Sequence, residues 1–580
     1  MKKRLFCENG SKIISAAVLL SSVANFVAPY LPSAHAMTLA GQSAAVTLDS
    51  SETHTLSNVN IESTSGPAIT IPAGENVTLV LEGENYLKGA PGYAAIYVAK
   101  GATLTISGEG KLTAIGGEGI KYTSKNLTAS GAGAGIGGNG AAYERINNAN
   151  TEVRDASCGE IIIESGEIIA TGGQAKDGNY ASGAGIGTGG TSASRNTSAT
   201  TIVTESGKVT INGGSITATG GAGEVNSETG GGAGIGAGGT MGGAYGYGFS
   251  KADMGVEIHG GTIVATGGND GAGIGSGANT HMSSVVIDGD ANVTANGTGE
   301  SSGRWGGAGI GGGDNGNINS IAISGSAKVV AKAAGAAAGI GGGNDGSVAD
   351  IRYDESEGDA IIDRASGNIE ISGNADVAAY GNVTSKGFGG AAIGAGISYY
   401  VDSSYGNISI LDNAKVLAYA FSDTQVIGGH SYYEDDYFGS VEISKTANVS
   451  MFSNNSYNPF AGLDENAAKL SDTLNLNGAT LVWYDAEIDT LCASDGVDIL
   501  DGIEYSFEEG TLTISKDGEQ IYKHSGFPQD FELASWAVII EAEETPEFIE
   551  LPKTYDAGPV IYLANAVILG AILVAVNKKK

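Results

Sequence analysis

The stretch Val209-Thr-Ile-Asn-Gly-Gly-Ser-Ile-Thr-Ala-Thr-Gly-Gly221, followed by Gly232-Ala-Gly-Ile-Gly236, decides the fold. The five-residue phrase Gly-Ala-Gly-Ile-Gly also stands at Gly133–Gly137, Gly183–Gly187, Gly271–Gly275 and Gly307–Gly311. Looser copies follow at Ala337–Gly341, Gly390–Gly394 and Thr424–Gly428. The longer phrase has relatives starting near Thr103, Ile161, Val256, Val285, Ile321, Ile369, Ile408 and Val441. A persistent internal repeat is the signature of a solenoid, in which each unit buries its apolar face on its neighbours.

Within one repeat the pattern has period two. Val209 and Ile211 are apolar around Thr210, and Ile216 and Ala218 around Thr217. Such alternation marks strands with one buried face. Asn212-Gly213-Gly214 and Gly220-Gly221 read as turns. In the third strand Ala233 and Ile235 are expected inward, with Gly232, Gly234 and Gly236 outward, which would leave a flat surface without side chains. The alternative for those glycines is steric, a need for space beneath the insertion loops.

One isoleucine position threads all copies: Ile106, Ile163, Ile211, Ile258, Ile287, Ile323, Ile371, Ile410 and Ile443. The shortest gap, Ile258 to Ile287, is 29 residues, and the longest, Ile106 to Ile163, is 57. Twenty-nine residues hold three strands and three turns but no helix, so alternating β/α units fit poorly. A propeller blade needs about 40–50 residues and four strands. The prediction is all-β: a right-handed parallel β-helix of roughly ten coils, each rising ~4.8 Å, about 50 Å in all. Excess residues are loop insertions at two places. One precedes the glycine phrase, as at Gln174–Ser182 and Ala222–Gly231. The other follows it, as at Asn139–Gly159, Thr240–Gly255, Ser398–Gly406 and His430–Gly439. Insertions at equivalent points cluster on one side of a solenoid.

The repeats occupy residues 37–455, and strands are already visible from Val46 to about Leu87. Residues 456–548 lose the glycine signal and read as a C-terminal cap and acidic stalk. Strand candidates there are Leu474, Leu476, Leu481 and Val482-Trp483-Tyr484, with a hairpin near Phe507, Leu512 and Ile514.

Composition sets the class. A chain of 580 residues exceeds a single ordinary core. Its 95 glycines lack the strict period of collagen, and 41% hydrophobic residues are too many for disorder. The net charge of −34 opposes nucleic acid and anionic lipid headgroups as partners. It keeps the surface solvated and attracts cations. Cysteines are limited to Cys7, Cys158 and Cys492, and the last two are expected as unpaired thiols.

Residues 1–36 read as a signal peptide. Lys2, Lys3, Arg4 and Lys12 precede the apolar Ile13–Val27 stretch, and Ala34-His35-Ala36 offers small residues for signal peptidase, with cleavage after Ala36. At the other end, residues 549–580 hold Leu551-Pro552-Lys553-Thr554, the apolar run Gly558–Val576 and Lys578-Lys579-Lys580. That run is about long enough to span a bilayer, with lysines on the cytoplasmic side. This order resembles the cell-wall sorting signal of Gram-positive surface proteins, whose pentapeptide is Leu-Pro-any-Thr-Gly. The resemblance implies cutting after threonine by sortase and attachment to peptidoglycan. Leu551, Pro552 and Thr554 match, but Tyr555 replaces the glycine, so a plain membrane anchor is the alternative. The chain is expected at the cell surface, anchored by its C-terminus.

From about Thr38 to Ser450 the repeat resembles glycine-rich β-helix surface proteins of Gram-positive bacteria, described as adhesin-like or carbohydrate-binding. The resemblance implies display at the surface, with polysaccharide or host glycan as the target. The residues themselves add an aromatic set in the second insertion: Tyr143, Tyr245, Tyr247, Phe249, Tyr399, Tyr400, Tyr405, Tyr432, Tyr433, Tyr437 and Phe438. Aromatic faces stack on the apolar faces of sugars, and tyrosine orders at low entropy cost. The alternative is that these rings pack over the rod.

No cofactor is required by the sequence. Ca2+ is the one candidate ion, with Asp270, Asp314, Asp345, Asp435 and Asp436 as oxygen ligands near glycine turns. The tandem nonapeptide calcium repeat is absent. Enzyme function is not expected. Lyases and hydrolases need carboxylates grouped in one cleft. His259-Gly260 is the lone likeness to such a site, and His259 is read as a turn residue. The expected function is therefore a non-enzymatic adhesin. The alternatives are a structural rod without a ligand, and a polysaccharide lyase or glycoside hydrolase.

Overall fold

The alternation read at Val209–Ile211 is realised as one rung of a sheet. Val209 and Ile211 are fully buried while Thr210 is half-buried. The computed structural model describes residues 37–540, apart from 122–127, 147–148, 176–180, 192–201, 224–229, 241–249, 300–304, 355–358, 364–366, 382–388, 398–403, 422–424, 430–437, 455–473, 487–488, 495–499 and 529–530. No α-helix occurs among these residues.

Three long parallel sheets run along the molecule, and the chain visits them in rotation. The repeat beginning at Val209 contributes Val209–Ile211 to the first sheet, Ser215–Thr219 to the second and Ile235–Gly236 to the third. The result is a right-handed parallel β-helix. The third sheet has 11 strands, so the solenoid is slightly longer than ten coils. The extra length comes from the N-terminal strands, which open the third sheet at Val46–Thr47 and Ile69–Ile71.

Identical positions stack in register. Ile106 faces Ile163, and the column continues through Ile211, Ile258, Ile287, Ile323, Ile371, Ile410 and Ile443. All nine are fully buried. At roughly 1.5–3 kcal/mol for each fully buried aliphatic side chain, this column is a large share of what holds the coils together. Ile216 and Ala218 form the equivalent pair on the second sheet, and Ile235 on the third.

The glycine phrase differs from expectation. It makes a strand of only two residues, because the chain folds back on itself at once. The N–H of Ala233 donates to the carbonyl of Ala237 at 2.9 Å, and Ala308 does the same to Gly312 at 2.8 Å. Gly232, Gly234 and Gly236 are buried, so the expected bare outer surface does not exist. The backbones of adjacent coils fill that space. A Cβ on Gly234 would lie 2.6 Å from the carbonyl oxygen of Gly273, and one on Gly236 would run into the carbonyl of Gly275. Gly236 also has φ +132°, which L side chains rarely adopt.

The C-terminal end changes direction. Leu474–Asn475 adds a last parallel rung to the first sheet. On the second sheet, Ser535–Ile540 pairs antiparallel with Asn448–Ser453, and Thr480–Asp485 and Thr490–Ala493 continue outward. A separate sheet of Ile503–Glu508, Thr511–Lys516 and Glu519–Ser525 covers the aromatic end of the second sheet. There Tyr419 Oη lies 2.7 Å from His524 Nε2, and Tyr522 donates to Ser450 Oγ at 2.8 Å. Such cover protects a sheet end from pairing with another chain. Cys158 and Cys492 are both free thiols and buried, and burial pushes the Cys158 thiol up to about 12.

Two glycine substitutions separate strain from packing. Gly74 has φ +88° with open space around its missing side chain. Gly74→Ala should therefore cost only the left-handed strain, roughly 1–2 kcal/mol. Gly236→Ala adds a backbone collision, and its thermal unfolding midpoint should fall well below that of Gly74→Ala. Equal midpoints would disprove the close-approach account.

Candidate functional site

The rungs of the first sheet range from two residues to nine, and the two longest are consecutive. These are Ser250–Ile258 and Thr280–Ile287, and Ile318–Ile323 is the next rung. Ile202–Glu205 widens this region by pairing with residues 250–253. The widened region follows the glycine phrase, on the side of the second insertions.

Within it the register slips. Lys251 faces His281 and Ala252 faces Met282, but the next aligned pair is Gly255 with Ser284. Asp253 and Met254 therefore both stand opposite Ser283, a β-bulge. Bulges re-aim side chains and are frequent beside active sites. Ser283 in turn lies between the aligned pairs Met282–Ile318 and Ser284–Ser320, which places it beside Asn319. Two polar rows result, Lys251 with His281, and Asp253 with Ser283 and Asn319.

A cavity of about 280 Å3 is lined by Lys251, Asp253, His281, Met282, Ser283, Asn319 and Ala349. Asp253 is exposed, and Lys251, Ser283 and Asn319 are half-buried, so the cavity opens to solvent. Ser283 donates to Asp253 Oδ1 at 3.0 Å. His281 Nδ1 accepts the Asn317 backbone N–H at 3.2 Å and lies 3.0 Å from Asn317 Nδ2. A backbone N–H can only donate, so the imidazole proton sits on Nε2. Asn317 Oδ1 accepts the backbone N–H of Ser347, which ties a third coil into the same column. Burial, and then the charge of Lys251, lower the His281 pKa from 6.5 to about 3. His281 is therefore a neutral donor across the physiological range. The site holds one cation, one carboxylate and several neutral donors and acceptors.

Few of the residues expected at the site are among those the structure describes. Tyr405 is a correction. It is buried in the core, and its hydroxyl donates to the Gly439 carbonyl at 3.2 Å. The register of Ser404–Ile410 slips between Ser404 and Gly406, and Tyr405 sits at that slip with its side chain in the core. Tyr143 belongs to the strand Ala142–Ile146, in a small antiparallel sheet with Thr128–Ser130 and Ala149–Arg154. Phe438 begins the strand Phe438–Ile443. Tyr245, Tyr247, Phe249, Tyr399, Tyr400, Tyr432, Tyr433 and Tyr437 lie outside the described residues, as do Asp435, Asp436, Ala34, Ala36, Leu551, Pro552 and Thr554. Among the described residues no helix is long and apolar enough to cross a membrane, and the apolar run Gly558–Val576 is not among them.

Asp270, Asp314 and Asp345 lie on neighbouring turns. Asp270 and Asp345 adopt φ +64° and +50°, a conformation that aspartate tolerates better than most residues. Asp314 donates its N–H to the Asp270 carbonyl at 2.7 Å. The amide of Asn344 donates to Asp314 Oδ1 at 2.8 Å and Asp345 Oδ2 at 3.0 Å. Among the described residues, no group of three or more His, Cys, Asp or Glu side chains has metal-holding geometry. His259 does follow a strand at a turn. Its Nδ1 lies 2.6 Å from Asp288 Oδ1 and its Nε2 3.5 Å from Glu257 Oε2, which also pairs with Lys208 at 2.6 Å.

Residues 104–120, 256–278 and 285–314 match the family model described as a β-helix repeat. This is a parallel β-helix protein. No curated protein and no solved structure matches the chain. All seven residues lining the cavity fall outside the matched stretches.

Sequence periodicity missed Lys251 and His281 for a definable reason. Lys251 stands five residues before Val256, whereas His281 stands four before Val285. The bulge absorbs the difference, so equal offsets do not align the pair.

Burial of a neutral His281 gives a testable pH dependence. Its folded pKa lies below its unfolded one, so its contribution is fully present above pH 6.5 and is lost as pH falls towards 3. One differential proton corresponds to about 1.4 kcal/mol per pH unit. Against His281→Gln, the stability advantage of the native chain in urea melts should shrink steadily below pH 6.5. Parallel curves would contradict a buried neutral imidazole.

Proposed function

We propose that this protein is a non-enzymatic surface rod that binds polysaccharide or host glycan through the side carrying the second insertions. The observation that carries this reading is the cavity between Lys251, Asp253, His281, Ser283 and Asn319. Adjacent coils of a stiff sheet present donors and acceptors there, at the spacing of the strands. Sugar sites need such fixed polar groups with some apolar lining, which Met282 and Ala349 provide. The site has the inventory for binding and lacks a paired acid and base. Asp253 accepts the Ser283 hydroxyl, and His281 stays neutral. In this reading the chain is exported through its signal peptide and held by its C-terminal segment in the membrane, or on peptidoglycan after sortase action. Ca2+ would act at the turns of Asp270, Asp314 and Asp345.

The second reading is a polysaccharide lyase or hydrolase. The observation favouring it is His259 between Glu257 and Asp288. Lys208 already neutralises Glu257, which argues for a structural ladder.

Full-length protein on a glycan and polysaccharide array, with Ca2+ and with chelator, tests the first reading. Binding without release of product is the expected result. Release of reducing ends or of unsaturated product, abolished by Asp288→Asn, would replace it with the enzyme reading. No binding to any glycan would leave a structural rod.

A further inference from the structure

We infer that the edge strand Ile503–Glu508 of the C-terminal cap is a docking site for an extended peptide segment that alternates apolar and basic residues and pairs with it as a fourth strand. The site and its partner stand apart from the glycan-binding reading.

The cap sheet is antiparallel, in the order Ile503–Glu508, Thr511–Lys516, Glu519–Ser525. Among the described residues no strand pairs with the other side of Ile503–Glu508, and every residue of that strand except Ile503 is exposed. Two rows of side chains cross the inner face of the sheet. One is Tyr505, Ile514 and Tyr522, and the other is Phe507, Leu512 and His524. Ile514 and Leu512 are fully buried, and Tyr522 and His524 are half-buried. Each row ends at the edge in an exposed ring, Tyr505 at 38% and Phe507 at 37%. Both rings are held from within the cap. The Tyr505 ring centre lies 5.0 Å from that of Tyr484 and 5.4 Å from that of Trp536, and Phe507 lies 5.2 Å from Phe527. A strand added at about 4.8 Å continues both rows, and apolar residues opposite Tyr505 and Phe507 complete their burial.

The outer face sets the charge of the partner. Glu504, Ser506 and Glu508 alternate with the rings and are exposed, and Ser515, Thr513 and Thr511 stand opposite them on the middle strand. Charge at a sheet edge guards against pairing, and here the guard is selective. A second copy pairing antiparallel about Ser506 sets Glu504 against Glu508, and one pairing parallel in register sets each glutamate against its own copy. Like charges oppose each other in both directions, which is unfavourable. The chain's own flanking segments fit no better. Residues 495–499 hold two aspartates, residues 541–550 hold five glutamates and a proline, and neither segment has a cation. Lysine or arginine at the positions facing Glu504 and Glu508 turns both oppositions into attractions. In strand addition the main-chain hydrogen bonds give affinity and alternate side chains give specificity, and this edge offers both.

Calorimetry and hydrogen-exchange mass spectrometry on the full-length chain test this with three synthetic peptides. The first is acetyl-Thr-Lys-Val-Thr-Val-Lys-Thr-amide, a palindrome, so that strand direction does not matter. The second has glutamate for both lysines, and the third carries N-methyl groups on the Val-Thr-Val backbone. The lysine peptide should bind on the order of tenfold more tightly than the glutamate peptide and protect residues 503–508 from exchange. The N-methyl peptide keeps the side chains but cannot donate to a ladder, and should bind on the order of tenfold more weakly than its parent. Glu504→Lys combined with Glu508→Lys should reverse the preference between the lysine and glutamate peptides. Both positions are exposed, and an unchanged melting curve will show that this variant folds. Equal binding of the lysine and glutamate peptides, full binding of the N-methyl peptide, protection outside residues 503–508, an unreversed preference in the folded variant, or no binding at all overturns the proposal. So does protection of residues 503–508 without peptide. If that protection grows with protein concentration, a second copy occupies the edge; if it does not, the chain's own sequence does.

Discussion

The closest constraint in this molecule is the approach of one coil's backbone to the next along the glycine column. At Gly187, Gly236, Gly275 and Gly311 the φ angle lies between +132° and +137°, and any Cβ would meet the carbonyl of the following coil. The third sheet can then be only two residues wide and still close the solenoid. The corner hydrogen bond within each phrase, such as Ala233 to Ala237, turns the chain sharply enough to return to the first sheet. With that corner set, the isoleucines of all three sheets point into one interior. A coil alone exposes both apolar edges, so stability is a property of the stack.

The same regularity makes irregularity informative. Where the second insertion lengthens the rungs, the strand Ser250–Ile258 carries one extra residue relative to its partner. That single residue shifts Asp253 against Ser283 and leaves Lys251 against His281. A stiff scaffold holds the offset in place, because the rungs above and below are fixed by the isoleucine column. The polar column His281–Asn317–Ser347 then fixes the imidazole's tautomer from within the solenoid.

Charge belongs to the same picture. A net −34 is tolerable in an elongated solenoid because like charges are spread along its surface and screened. Some cations are locally paired, as Lys208 is with Glu257 and Lys111 with Glu167. Exposed pairs of this kind contribute little to stability. Their effect is on what approaches the surface.

The sequence by itself determined the class of fold, the stacking register and the unpaired cysteines, because a repeat imposes the same burial at every copy. Ile106 to Ile443 could be aligned by eye, and the structure stacks them in that order. It also pointed to the side of the solenoid carrying the second insertions, since loops at equivalent points must cluster. Tertiary structure decided what that side contains. Tyr405 looked like a surface aromatic, but it sits in the core at a register slip, and a slip is invisible to periodicity. The glycines looked outward by alternation, but the next coil's backbone occupies that space, and alternation within one strand says nothing of its neighbour. Lys251 and His281 meet only because a bulge compensates for unequal spacing. Pairing across coils is a three-dimensional register, and one extra residue suffices to hide it from a linear reading.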